Sequence, residues 1–274
     1  MNSIPLALYV LAAIAYAWHF ARRTPSLGRS ATTILIAGAM AHTFVIGMQT
    51  MQTGHVPVTS ASTAISTFVL LLALAYLYTE LATDERAMGV FILPLLALLQ
   101  TIPTIDPGVE RPAPVLESPW FAVHVSSLLF AYASFGLACV IGITYVLLFK
   151  EIKAKHLGFF YTRLPSLQTL DEMNARAVVV GWIFLTIGVT SGAVWATRLN
   201  AAAASDPDLY SMSLRDPKVI VAGLCWIVYS FEVYAQRAIG WRGRRAAYLS
   251  ALGFAIVLLN FVPVSYFFTK SHNF

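Results

Sequence analysis

Long apolar runs alternate with short polar segments along this chain, and that alternation predicts its architecture. A helix of about 20 apolar residues crosses a bilayer core about 30 Å thick. Runs of this kind lie at 3–21, 31–50, 62–82, 87–104, 120–149, 176–198, 219–236 and 246–268. We therefore predict an all-α, polytopic membrane bundle of about eight transmembrane helices, forming a single transmembrane domain over residues 1–274.

Lys and Arg are distributed unevenly among the polar segments, and this predicts the orientation of the bundle. If the N-terminus is outside, the inner segments contain Arg22, Arg23, Arg29, Arg86, Lys150, Lys153, Lys155, Arg163, Arg176, Arg237, Arg242, Arg244 and Arg245. The outer segments contain only Arg111, Arg198, Arg215, Lys218 and Lys270, offset by several acidic residues. Because cytoplasmic loops are enriched in Lys and Arg, we expect both termini to be extracytoplasmic, with the 195–218 loop outside.

Composition narrows the class of protein further. Of the 274 residues, 58% are hydrophobic and only 11% are charged, whereas soluble domains carry about 25% charged residues. The net charge of +5 follows from the basic inner loops, so we expect a lipid bilayer rather than nucleic acid as the partner surface. The two cysteines, Cys139 and Cys225, form no CxxC motif, which argues against thiol–disulfide chemistry.

The most informative stretch of the chain is residues 181–218. Small side chains at Gly188, Ser191 and Gly192 predict close approach of another helix. Trp195 follows where the apolar run ends, the depth at which an indole is favoured. The sequence GAVWA therefore predicts a tight exit from the helix, followed by a polar loop that re-enters the membrane at Asp216-Pro217-Lys218.

This stretch resembles the haem-handling, tryptophan-rich segment of the cytochrome c assembly proteins of the CcsA/CcmC/CcmF superfamily. The GAVWA and DPK blocks carry the resemblance, and two further segments are similar to the CcsA branch: RLPSLQTLDEMNARAVVVGWIFLTIGVTSGAVWA at 163–196 and GWRGRRAA at 240–247. The resemblance is specific over 120–274 and weaker over 1–119. It implies transient, non-covalent binding of haem b at the outer membrane face, for delivery to apocytochrome c.

The resemblance also assigns candidate haem residues. WFAVHVSSLLFAYASF and PVSYFFTKSHNF are similar to the two external histidine regions of the family, which implies that His124 and His272 bind the haem iron. Trp195 and Asp216 belong to the matching loop, while Arg215 and Lys218 are candidates to pair with haem propionates. The structural alternative makes His124 an interfacial helix-start residue, His272 part of a frayed tail, and the two cations ordinary loop charges.

Charge is costly inside an apolar run, and His42 and Glu232 are two ionisable residues in such runs. His42 is in the middle of the second run and is interpreted as a second haem ligand, a proton carrier, or a neutral imidazole bonded to a neighbouring helix. Glu232 lies in the seventh run and is expected to pair with Arg237 near the inner interface.

The chain departs from the family pattern at two places. The interval between Trp195 and Asp216 contains no tryptophan, so the tryptophan-rich loop is degenerate. The family has a buried histidine close to the position of Ala235, and alanine cannot bind iron, so we expect the intramembrane haem site of the CcsA branch to be missing or built differently.

Three functions remain open at this point. The first is a haem-binding component of cytochrome c biogenesis in a bacterial inner (plasma) membrane, at most one part of a haem lyase complex, with a CcsB-like membrane partner. The second is an accessory or regulatory membrane protein of the HemX/YpjD type that does not deliver haem. The third is an unrelated small-molecule transporter, for which His42 is almost the sole convergent polar group in the sequence.

Overall fold

The computed structural model describes residues 2–58, 60–108, 118–155, 158–203 and 217–259, and all its regular elements there are helical. The α-helices are α1 (Ser3–Arg22), α2 (Pro25–Thr53), α3 (Ala61–Thr83), α4 (Gly89–Ile105), α5 (Pro119–Lys153), α6 (Phe159–Arg163), α7 (Leu167–Ala203), α8 (Pro217–Tyr234) and α9 (Arg244–Leu259). A π-helical segment, Ala235–Ile239, continues α8. The predicted all-α class is confirmed.

Within the described residues, six helices are long and apolar enough to cross a membrane: α1, α2, α3, α5, α7 and α8 with its π-helical extension. Helix α4 is apolar but has only 17 residues, with Pro94 and Pro103 inside it. The first seven predicted spans each overlap a helix, and the eighth overlaps α9 up to Leu259, beyond which its residues lie outside the described part of the chain. The number of helices that cross the bilayer and the side of each terminus stay predictions.

The helices form two groups that share one core. In the first group, α1 packs against α2 and α4, and α3 packs against α4. In the second group, α5 packs against α7 and α9, and α8 packs against α7 and α9. Contacts of α3 with α5 join the groups, and the buried core is continuous from Tyr9 in α1 to Val257 in α9.

Helices α5 and α7 form the longest packed pair, and small residues bring them together. A Cβ atom added at Gly188 would lie 2.6 Å from a methyl carbon of Leu128, and one added at Gly192 would overlap the imidazole of His124. The prediction that Gly188 and Gly192 allow close approach is therefore confirmed, with α5 as the neighbour. The pairing runs in opposite directions along the two chains, since Gly188 contacts Leu128 and the later Gly192 contacts the earlier His124. The two helices are therefore antiparallel.

The predicted helix exit at GAVWA is wrong. Helix α7 continues without interruption through Trp195 to Ala203. The residues that follow, TRLNAAA, include strong helix formers and contain neither glycine nor proline. The 195–218 segment therefore begins as helix, and its residues 204–216 lie outside the described part of the chain.

Candidate functional site

An aromatic cluster forms where α5 begins and α7 approaches its end. Pro119 occupies the first turn of α5, where its missing N–H costs no helical hydrogen bond. Phe121 and His124 follow at helical spacing and project toward α7. Trp195 is only 4% exposed, and its ring centroid lies 5.2 Å from that of Phe121 and 6.3 Å from that of His124. The structure thus brings together two predicted site residues, His124 and Trp195.

The imidazole of His124 is oriented by the backbone of α7. Its Nδ1 lies 2.7 Å from the carbonyl oxygen of Gly188. A carbonyl can only accept, so Nδ1 carries the proton and the lone pair lies on Nε2. This is the arrangement of a metal-binding histidine whose other nitrogen donates to a backbone carbonyl. The bond requires glycine at 188 and 192, because a larger side chain would push the helices apart.

Three further residues of this cluster were not assigned to the haem site from the sequence. Phe121 is buried against Trp195, and Trp120 packs at the edge of the same cluster. The guanidinium of Arg198 lies 4.9 Å from the ring centroid of Trp120, a cation–π contact. The sequence did contain a signal for Arg198. It follows Trp195 by three residues, which places the two side chains on the same face of a continuous helix.

The other residues of the predicted outer site are only partly described. Lys218 lies in the first turn of α8, half-buried. Arg215, Asp216 and His272 lie outside the described residues. The expected meeting of His124 with His272 beneath the 195–218 loop therefore stays a prediction.

His42 lies in the other group of helices, fully buried in α2. Its Nδ1 is 3.1 Å from the Tyr9 hydroxyl of α1, and its Nε2 is 3.0 Å from the Ser66 hydroxyl of α3. The Gln100 amide of α4 lies 3.4 Å from the same serine oxygen. One donor and one acceptor nitrogen satisfy both contacts of a neutral imidazole. This geometry favours the alternative in which His42 joins neighbouring helices.

Glu80 is a buried carboxylate that sequence reasoning passed over. It is 0% exposed near the end of α3 and accepts hydrogen bonds from Tyr16 at 2.6 Å and Thr32 at 2.5 Å. The Nε of Arg86 lies 3.8 Å from it, and Arg86 also binds Asp84 at 2.9 Å. The sequence signal was a glutamate in an apolar run, six residues before an arginine.

The expected pairing of Glu232 with Arg237 is wrong. Glu232 is fully buried and accepts hydrogen bonds from Ser250 of α9 at 2.6 Å and from Gln236 at 3.2 Å. Ser250 in turn contacts Asn174 of α7. Residues five positions apart do not face each other on an α-helix, and the Glu232 carboxylate is instead bound by Ser250 and by Gln236, which lies in the π-helical segment that begins at Ala235.

No group of three or more His, Cys, Asp or Glu side chains arranged for a metal ion occurs among the residues that the structure describes. A multi-ligand metal-ion centre is therefore not found in that part of the chain. Ligation of haem iron needs only one or two imidazoles, and His124 is one imidazole within the described residues.

Comparisons with known proteins identify the family. The model of the family described as cytochrome C assembly protein matches residues 3–272. The chain is 26% identical over 252 residues to a protein of Guillardia theta named cytochrome c biogenesis protein CcsA, covering 85% of this chain and 81% of the relative. Proteins of the same name from Heterosigma akashiwo (28% over 240 residues; 74% and 72% covered) and Synechococcus sp. (25% over 278 residues; 88% and 87%) are similar as well. The chain belongs to the cytochrome C assembly protein family.

Proposed function

We propose that this chain takes part in cytochrome c assembly by holding haem b non-covalently at the His124 end of the bundle, for delivery to apocytochrome c. The observation that carries the proposal is the bond from His124 Nδ1 to the Gly188 carbonyl. It fixes the tautomer with the lone pair on Nε2 and orients the ring between two packed helices.

The residues around His124 fit a haem group in their chemistry. Haem iron accepts the lone pair of a neutral imidazole on each face of the macrocycle. Trp195 packs against both the His124 ring and Phe121, so an apolar aromatic cluster adjoins the imidazole, as contact with a porphyrin edge requires. Arg198 and Lys218, together with Arg215, supply cations for the propionates, while Asp216 belongs to the same loop.

The direction of α9 supports His272 as the second ligand. A Cβ atom added at Gly142 of α5 would contact Ala247, and one added at Gly136 would contact Phe254. Helix α9 therefore runs antiparallel to α5, from its Arg244 end toward the end of the bundle that carries His124. His272 follows Leu259 by 13 positions, and at up to about 3.3–3.6 Å per residue this length is ample to reach His124.

We further propose that the chain acts in the plasma membrane of a bacterium with a CcsB-like partner. The chain has two cysteines, Cys139 and Cys225, and both lie in membrane-spanning helices. Thiols at that depth cannot exchange with the cysteines of an extracytoplasmic apocytochrome. A partner with an extracytoplasmic domain would present those thiols, and isolation of a fully competent complex containing this chain alone would refute that part of the proposal.

Cytochrome c formation in a reporter strain tests delivery directly. The strain lacks its own assembly system and produces this chain, the partner and an apocytochrome, and covalent haem is detected by in-gel peroxidase staining. We expect His124→Ala to abolish staining, because it removes a proposed iron ligand. His19→Ala is the matched control. His19 lies in the last turn of α1, at the end of the bundle opposite His124, and its ring bonds to the Thr24 carbonyl. Full staining with His124→Ala would contradict the proposal.

A second candidate function is an accessory or regulatory role without haem delivery. It is favoured by the fully buried Ala235, close to which the family has a histidine, and by the absence of tryptophan between Trp195 and Asp216. The same strain separates the two candidates. A chain that co-purifies with the partner but gives no stained cytochrome c would support the accessory role.

A further inference from the structure

A basic cavity lies at the end of the bundle opposite His124. It has a volume of about 530 Å³ and is bordered by the beginning of α7, the end of α3, the π-helical segment and the turn before α9. Three arginines line it: Arg176, Arg237 and Arg242. Its volume is within the range of about 300–1,000 Å³ of small-molecule sites.

Two acidic residues of the described chain, Asp171 and Glu172, also line the cavity, but neither forms an ion pair with its arginines. The carboxylate of Asp171 accepts the Gly243 N–H at 2.7 Å, and that of Glu172 accepts the Gln168 amide at 3.1 Å. Within the described residues, Arg237 and Arg242 make no hydrogen bond or ion pair. The two carboxylates therefore bind neutral donors of neighbouring residues. The guanidinium groups of Arg237 and Arg242 remain available to bind an anion.

The π-helical segment builds this cavity. Such segments are rare and occur frequently at functional sites. Here the segment places Gln236 and Arg237 on the cavity wall. It ends where the backbone N–H of Trp241 donates to the Ala235 carbonyl at 2.8 Å. The indole of Trp241 then lines the cavity beside Arg242.

The basic surface extends beyond the cavity. An adjoining hollow of about 450 Å³ is lined by Trp241, Arg242, Arg244 and Arg245. Arg244 stacks on the Phe149 ring at 4.6 Å, and Arg245 on the Trp241 ring at 5.4 Å. Aromatic contacts of this kind hold guanidinium groups at the surface while leaving their N–H donors directed outward.

We propose that this cavity binds the phosphate-bearing headgroup of an anionic phospholipid. Two guanidinium groups match a phosphate in charge and in donor geometry. Val179, Val180 and the half-exposed ring of Tyr78 form an apolar wall on two helices that are long and apolar enough to cross a membrane, which suits the glycerol and upper acyl chains. Basic cavities between helices at the cytoplasmic side are typical headgroup sites, and the Lys/Arg distribution predicts that this end is cytoplasmic.

Native mass spectrometry of the detergent-purified chain, titrated with phosphatidylglycerol and separately with phosphatidylcholine, tests the proposal. We expect phosphatidylglycerol to bind at one site at least about tenfold more tightly, because its net negative charge is not cancelled within the headgroup. Each arginine near an anionic headgroup contributes a factor of about five in affinity. The double substitution Arg237→Ala with Arg242→Ala should therefore weaken phosphatidylglycerol binding about 20–30-fold.

The matched control is Arg22→Ala with Arg29→Ala, two exposed arginines at the same end of the bundle but outside the cavity. It should leave the phosphatidylglycerol affinity within twofold. Equal affinity of the unsubstituted chain for the two lipids would overturn the proposal, and so would an unchanged affinity in the Arg237/Arg242 variant. Displacement of phosphatidylglycerol by millimolar inorganic phosphate would also overturn it, by identifying a soluble anion as the ligand.

Discussion

Alanine at position 192 tests whether the helix approach at Gly192 is what holds His124 in place. A Cβ atom there would overlap Nδ1 and Cε1 of the His124 ring. The ring would have to rotate away, breaking its hydrogen bond to Gly188. Overlap in a packed interior costs about 1–3 kcal/mol, and the lost bond costs about 0.5–1.5 kcal/mol.

A gain in helix propensity opposes these costs. Alanine is favoured over glycine in a helix by about 1 kcal/mol, so the net destabilisation is about 0.5–3.5 kcal/mol. At about 2–4 °C per kcal/mol for a domain of this order of size, Gly192→Ala should lower the unfolding temperature in detergent by about 1–14 °C. Gly223→Ala is the control, because no atom lies within 4 Å of its added Cβ, and its unfolding temperature should stay equal or rise.

A double-mutant cycle with His124→Ala decides the cause. Without the imidazole, the overlap and the hydrogen bond are both absent, and only the propensity gain of about 1 kcal/mol remains. Gly192→Ala should then be neutral or stabilising, with a coupling of about 1.5–4.5 kcal/mol between the two positions. The same loss of stability in both backgrounds would refute the reasoning, because the cost would then not arise from His124.

Three further outcomes are expected. Reporter fusions at residue 112 and residue 155 should report opposite sides of the membrane, and one side for both would disprove the predicted span count. Glu80→Ala should cost on the order of 3 kcal/mol, because it removes the acceptor of two buried hydroxyl groups, whereas Glu80→Gln should cost less; equal thermal shifts would contradict the assigned bonds. His42→Phe should lower the unfolding temperature without changing haem content, and loss of haem would instead favour a ligand role for His42.

Periodicity and length were sufficient to predict the helices, because a membrane span is specified mainly by a local run of apolar residues. Small residues at 188 and 192 likewise predicted a close helix contact. The end of α7 was not predictable from the Trp195 position, because interfacial depth does not stop a helix when the next residues are helix formers.

The hydrogen-bond partners of the buried polar residues could not be predicted from the sequence. The partner of His124 Nδ1 is a backbone carbonyl on another helix, and no pattern of side chains encodes such a contact. Glu232 is bound by Ser250 of α9, and a contact between two helices cannot be read from the hydropathy of either one. Glu80 was overlooked because two hydroxyl groups distant in sequence make its burial tolerable.

The electron paramagnetic resonance spectrum of ferric haem in the purified chain tests the central claim most directly. Ligation by His124 and His272 predicts a low-spin signal that becomes high-spin in His124→Ala and in His272→Ala, because loss of a strong axial ligand weakens the ligand field. The His19→Ala variant should keep the low-spin signal. A low-spin spectrum that is unchanged when both His124 and His272 are replaced by alanine would contradict the account.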